Sequence, residues 1–107
     1  MSKSIGNHIY SLAELLWPIN RSITGNGLRE TLRIIKRNHI PDLKIKSVPS
    51  GSKAFDWTVP KEWEIDDAYI IDPKGKKICK FKENNLHVVN YSKPINKEIS
   101  LEELDKH

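Results

Sequence analysis

Apolar residues recur with a helical period in the first part of the chain and with a period of two further on. Ile5, Ile9, Leu12 and Leu16 form one stripe with Ala13 beside it, which predicts an amphipathic helix that Pro18 stops near Trp17. The stretch Arg21-Ser22-Ile23-Thr24-Gly25-Asn26-Gly27 reads as a loop, with Thr24 and Asn26 as candidate N-caps of a second helix. That helix carries Leu28, Leu32 and Ile35 on one face and Arg29, Arg33, Lys36 and Arg37 on another, and Ile40-Pro41 closes it.

From Leu43 the period changes. Leu43 and Ile45 alternate with Lys44 and Lys46, predicting a half-buried strand over 43–48 that ends near Val48-Pro49. After a turn at Ser50-Gly51-Ser52-Lys53, Phe55, Trp57 and Val59 alternate with Ala54, Asp56 and Thr58, so three large side chains are expected on one buried face. Pro60 limits how far that strand can pair. Ala68–Asp72 and Lys77–Phe81 flank Asp72-Pro73-Lys74-Gly75, the signature of a type I turn, which predicts a β-hairpin. Leu86–Tyr91 reads as a further strand. Ser100-Leu101-Glu102-Glu103 is a capping box announcing a helix at Leu101, six residues before His107. The fold class is therefore α+β: two N-terminal helices followed by a mostly antiparallel β-rich region. A helix so short does not stand alone in water: it is either a frayed terminal turn or a sign that the chain stops before its fold does.

At 107 residues there is room for one core. The composition, 30% charged and 37% hydrophobic, is that of a soluble domain. No apolar run approaches the roughly 20 residues of a membrane-spanning helix. Asn7, His8 and Glu14 interrupt any signal-peptide pattern. The single cysteine, Cys79, excludes an internal disulfide and fits a cytoplasmic, reducing compartment. The net charge of +4 is unevenly spread, +5 over residues 1–50 and −1 over 51–107. Fourteen of the 18 basic residues are lysine, as in an AT-rich genome. Nucleic acid is thus a disfavoured partner.

Candidate chemistry is sparse. His8, His39, His87 and His107 form no H-E-x-x-H pattern, and none pairs with Cys79 at a zinc-binding spacing. Cys79 reads as a small core residue of the hairpin. Glu62, Glu64, Asp66 and Asp67 cluster without the loop glycine or spacing of a calcium site and read as a solvated turn. The arginines at 29, 33 and 37 read as a solvated helix face. Two of the three tryptophans fall within Phe55–Trp63. Phe55, Trp57 and Val59 suit a core anchor, whereas Trp63, outside their register and beside carboxylates, suits an exposed platform.

Several stretches together resemble a bacterial aminopeptidase-like family, often labelled polysaccharide biosynthesis protein with an aminopeptidase-like domain. They are Asn20-Arg21-Ser22-Ile23-Thr24-Gly25-Asn26-Gly27-Leu28-Arg29-Glu30-Thr31-Leu32, Val48-Pro49-Ser50-Gly51 and Phe55–Trp63. Asp67-Ala68-Tyr69-Ile70 and Asn85-Leu86-His87-Val88-Val89-Asn90-Tyr91-Ser92 complete the set. The similarity runs from about Ile9 to Leu104 and concerns the family's N-terminal part. It implies a longer protein with a zinc-exopeptidase-like α/β domain, a β-rich insertion and a C-terminal winged helix. On that map residues 1–50 begin the aminopeptidase-like domain, 51–96 form the β-rich insertion and 97–107 start a truncated helix.

The resemblance implies zinc for the full-length family, held by His, Asp and Glu around a C-H-P-S-type motif that this sequence lacks. A zinc hydrolase needs about three protein ligands and a general base, so this chain is expected to carry no catalytic residue, metal or cofactor of its own. The expected role is that of a non-catalytic scaffold or substrate-shaping fragment, linked to surface polysaccharide biosynthesis. Arg21, Ser22, Thr24, Asp56, Trp57 and Trp63 are its candidate substrate-binding residues. Its expected partner is the missing C-terminal aminopeptidase-like part or a homo-oligomer, with no membrane contact. The alternative is a stand-alone binding module that takes a saccharide on Trp63 or nucleic acid on the basic helix 28–38.

Overall fold

A computed structural model describes residues 4–107. Helix α1 spans Ile5–Leu16, and Ser4 caps it by accepting from the Asn7 N–H at 3.3 Å. Helix α2 spans Asn26–Asn38. Two hairpins follow: β1 (Lys53–Ala54) with β2 (Trp57–Thr58), and β3 (Ile70–Ile71) with β4 (Lys77–Ile78). A single 3-10 turn at Asn85–His87 and the short helix α3 (Leu101–Leu104) complete the order. The α+β reading holds: both helices form, and every paired strand is antiparallel.

The inward face of α2 is centred on Thr31 and Ile34 rather than on the expected Leu28, Leu32 and Ile35, which are half-buried beside them. Ile34, at 4% exposure, is the buried hydrophobic residue of the described core. Thr31 is tolerated there because its hydroxyl donates to the Gly27 carbonyl at 2.9 Å. No residue of α1 is buried, and Ile5 and Ile9 of its apolar stripe lie open. The accessible area is 9562 Å², whereas a compact monomer of 12.4 kDa exposes about 6100 Å². The radius of gyration, 18.5 Å against about 13 Å for a compact chain of this length, agrees.

The hairpin at Asp72-Pro73-Lys74-Gly75 forms as the turn signature requires. Gly75 N–H donates to Asp72 O at 2.9 Å, and the Asp72 carboxylate accepts from the Lys74 and Lys76 N–H groups, each at 2.9 Å. Ile70 pairs with Ile78 and Ile71 with Lys77. The ladder is shorter than expected because Cys79 adopts a left-handed φ of 51° and bulges out; pairing resumes where Phe81 N–H reaches Ala68 O at 2.8 Å. Cys79 is accordingly exposed, not a core residue.

Three other expectations are corrected. Residues 43–49 form no strand: they follow an unpaired path, with no neighbouring strand to receive their backbone groups. Leu86–Tyr91 is a 3-10 turn and loop, because the Asn84 carboxamide oxygen caps the Leu86 N–H at 2.9 Å and starts a helical turn instead. Phe55 and Trp57 are not a core anchor. Phe55 sits at the tip of the β1–β2 turn, and 103% exposure leaves it fully open, while Trp57 is 52% exposed. In α3, Ser100 does accept from the Glu103 N–H at 3.1 Å, but the Glu103 carboxylate turns forward to Lys106 at 3.1 Å.

The β3–β4 turn depends on one carboxylate that accepts two N–H groups. Asp72→Ala should therefore cost this hairpin about 1 kcal/mol, read as loss of the cross-strand Ile70–Ile78 NMR contacts while α2 is retained.

Candidate functional site

The loop between α1 and α2 is held by two distant segments, 61–65 and 90–92. Its geometry begins with two glycines. Gly25 has φ 99° and ψ −174°, a conformation essentially reserved for glycine, and a Cβ there would lie 3.1 Å from the Trp63 carbonyl oxygen. A Cβ on Gly27 would lie 1.8 Å from the Asn20 carbonyl oxygen. The loop thus folds tightly back on itself and lets the backbone of 63–64 come close.

Ser22, only 7% exposed, is the centre of the turn. Its hydroxyl accepts from the Thr24 N–H at 3.2 Å, lies against the Thr24 carbonyl and reaches the Trp63 carbonyl at 3.4 Å. Neither Thr24 nor Asn26 caps α2 with its side chain. The cap is Gly25, and the first helical N–H, that of Asn26, donates to the Glu64 carboxylate at 2.7 Å, an anion on the positive end of the helix. The Thr24 hydroxyl instead bonds Tyr91 Oη at 2.7 Å, and Tyr91 Oη also donates to Lys61 O at 3.3 Å.

Trp63 is half-buried and stacks on Tyr91, with ring centroids 5.9 Å apart and planes at 26°. Its indole N–H donates to the Ser92 carbonyl at 2.9 Å. This is a structural tie, not the exposed platform expected of it. Arg21 turns away from the cleft: its guanidinium donates to the Leu16 carbonyl at 2.7 Å at the end of α1, and its own carbonyl accepts from the Asn90 carboxamide at 2.8 Å. Asn85 makes the same kind of bond to Trp17 O at 2.8 Å.

Of the six candidate residues, Ser22, Thr24 and Trp63 come together, around a cleft of about 160 Å³ that Asn20, Asn26 and Glu64 also line. Asp56 and Trp57 lie on the β1–β2 hairpin, and no hydrogen bond among the described residues joins that hairpin to the cleft. Sequence reasoning missed Tyr91 and Glu64. The Asn90-Tyr91-Ser92 motif was a usable signal for the first. The acidic cluster was a signal for the second, for it is not merely a solvated turn: Glu64 caps α2 and Glu62 pairs with Arg29. Both partners of that pair are nearly half exposed, 43% and 47%, so the bridge contributes less than about 1 kcal/mol.

A zinc centre does not fit these residues. Among the described residues no three His, Cys, Asp or Glu side chains converge to hold a metal. His8 and His39 share an open groove of about 370 Å³ with Ser11, Leu12, Leu15 and Asn38, without a carboxylate or thiol to complete a ligand set.

Together these features define a mixed α+β segment built around a polar junction, with its apolar faces open. Residues 10–103 match the family described as a domain of unknown function (DUF4910), and the chain belongs to that family. It is 59% identical over 103 residues to a Clostridium acetobutylicum protein named, provisionally, as a polysaccharide biosynthesis protein with aminopeptidase-like domain; the match covers 96% of this chain and 23% of that one. A crystal structure from the same organism, provisionally called a peptidase, superposes with a TM-score of 0.84 at 59% identity, over 94% of this chain and 24% of the other. The chain thus spans about a quarter of the length of these relatives, and the correspondence is to their N-terminal portion.

The junction is expected to respond to single atoms. Tyr91→Phe removes the hydroxyl shared by Thr24 and Lys61 and should cost about 1 kcal/mol in urea unfolding. Gly27→Ala should cost more, about 3 kcal/mol, and abolish the near-UV circular dichroism of the Trp63–Tyr91 pair.

Proposed function

We propose that this chain is a non-catalytic scaffold of an aminopeptidase-like protein, and that it serves by packing against the remaining part of that architecture. The observation that carries this reading is its apolar surface. No residue of α1 is fully buried, Ile34 of α2 is the buried hydrophobic residue of the described core, and the accessible area exceeds that of a compact chain by more than half. Large hydrophobic side chains left open, Ile5, Ile9, Tyr10 and Phe55 among them, suit an interface. The same path is nevertheless kept in a solved chain four times longer, with a TM-score of 0.84.

On this reading, the chemistry of hydrolysis belongs to residues outside this segment. The cleft at Ser22, Thr24 and Trp63 contributes by holding its backbone in place; a role in shaping a peptide or saccharide substrate would run through that geometry. The link to polysaccharide biosynthesis rests on the name of the relative, and the cytoplasmic placement on the lone exposed thiol. The saccharide-platform alternative is weakened by Tyr91, which covers one face of Trp63. Glu62 and Glu30, paired with Arg29 and Arg33, similarly offset the basic helix.

The test is a chimera in which this chain replaces the matching segment of the Clostridium acetobutylicum relative. It should unfold in one transition, with tryptophans much less open to acrylamide quenching than in the isolated chain. Equal quenching in the two contexts would contradict the scaffold reading. Dialysed against zinc, the isolated chain should retain less than one equivalent by elemental analysis; a full equivalent would contradict the placement of the metal elsewhere.

A further inference from the structure

The β1–β2 hairpin carries two costs that nothing else among the described residues offsets. It is closed by the two residues Phe55 and Asp56, with Lys53 opposite Thr58 and Ala54 opposite Trp57. Phe55 occupies the first turn position at φ 55°, the left-handed region that a hairpin of this length normally gives to glycine or asparagine. A bulky residue there costs on the order of 1 kcal/mol of backbone strain. The same side chain lies wholly in solvent, and Trp57 beside it is half exposed. The hairpin itself is regular: Gly51 N–H reaches Val59 O at 2.8 Å, Val59 N–H reaches Ser52 O at 2.9 Å, and the Lys53 ammonium reaches the Thr58 hydroxyl at 2.9 Å. A well-made support that holds a large aromatic outward in a strained conformation is an interaction element.

We infer that the β1–β2 tip is a docking anchor, with Phe55 seated in an apolar pocket of the complementary three-quarters of a family chain and Trp57 packed at its rim. This rests on the scaffold reading above. It goes further by naming the residue that binds. The occupant follows from the solved relative, in which a segment 59% identical keeps the same path over 94% of this chain while more than three times as much polypeptide surrounds it. Among the described residues no surface receives Phe55, so the strain and the exposure would be offset by that larger body.

The anchor makes opposite demands in two contexts, and one substitution separates them. In the isolated chain Phe55→Gly relieves the turn and should leave the Lys53–Thr58 register intact, with stability unchanged or raised. In the chimera the same change empties the pocket and should lower Tm by roughly 5 °C, with Phe55→Leu between the two. A chimera whose Tm is unmoved by Phe55→Gly overturns the anchor while leaving the scaffold reading standing. A chimera in which this chain's tryptophans stay as open to acrylamide as in the isolated chain removes the scaffold reading and the anchor together. Self-association of the isolated chain that Phe55→Gly abolishes would assign the tip to a second copy and overturn the proposal as well.

Discussion

The structure depends on the three-way tie between the 20–27 loop, residues 61–65 and residues 90–92. Its geometry is set by main-chain atoms rather than by a hydrophobic core. Ser22 bridges the loop to the Trp63 carbonyl, Glu64 satisfies the first N–H of α2, and Tyr91 bonds Thr24 while it stacks on Trp63. Gly25 and Gly27 give the backbones the room to meet. Each bond is worth only about 1 kcal/mol net, but they share atoms, so losing one misplaces the others. No buried side-chain polar atom among the described residues lacks a partner.

Outside the tie the pairing is mostly local. The hairpins are two-stranded with two paired residues per strand, too small to be stable on hydrophobic grounds. α1 is joined to the tie through its C-terminal end, where Arg21 and Asn85 accept the task of satisfying Leu16 and Trp17 carbonyls. Ile5 and Ile9 of its apolar stripe lie open, while Leu12 and Leu16 are half-buried. A chain so arranged has its backbone path specified largely from within, by the tie. The chain, which spans about a quarter of its relatives' length, follows their path.

Local signals in the sequence were readable where local chemistry decides. The helical stripes, the Asp72-Pro73-Lys74-Gly75 turn and the Ser100 cap all act within a few residues, and all appear in the structure. Alternation was a poor guide because it assumes a core on one side. Phe55, Trp57 and Val59 share a pattern that would bury them, yet Phe55 lies at a turn tip in solvent. Leu43 and Ile45 alternate with lysines and find no strand to pair with. Of the candidate site, Ser22, Thr24 and Trp63 stood out by the composition of their segments and the register of Trp63, though nothing in the sequence joined them. Tyr91 lay in a family motif and Glu64 in the acidic cluster, but their pairing with Thr24 and Asn26, 67 and 38 residues away, leaves no periodic trace in the sequence.

Native-state hydrogen exchange by NMR tests the central claim directly. If the tie organises the chain, the Asn26 amide on Glu64 and the Trp63 indole N–H on Ser92 should be among the slowest to exchange, slower than the Gly51 and Val59 amides of the β1–β2 hairpin. Asn26 and Trp63 exchanging at free-peptide rates while α1 or the hairpins remain protected would contradict it.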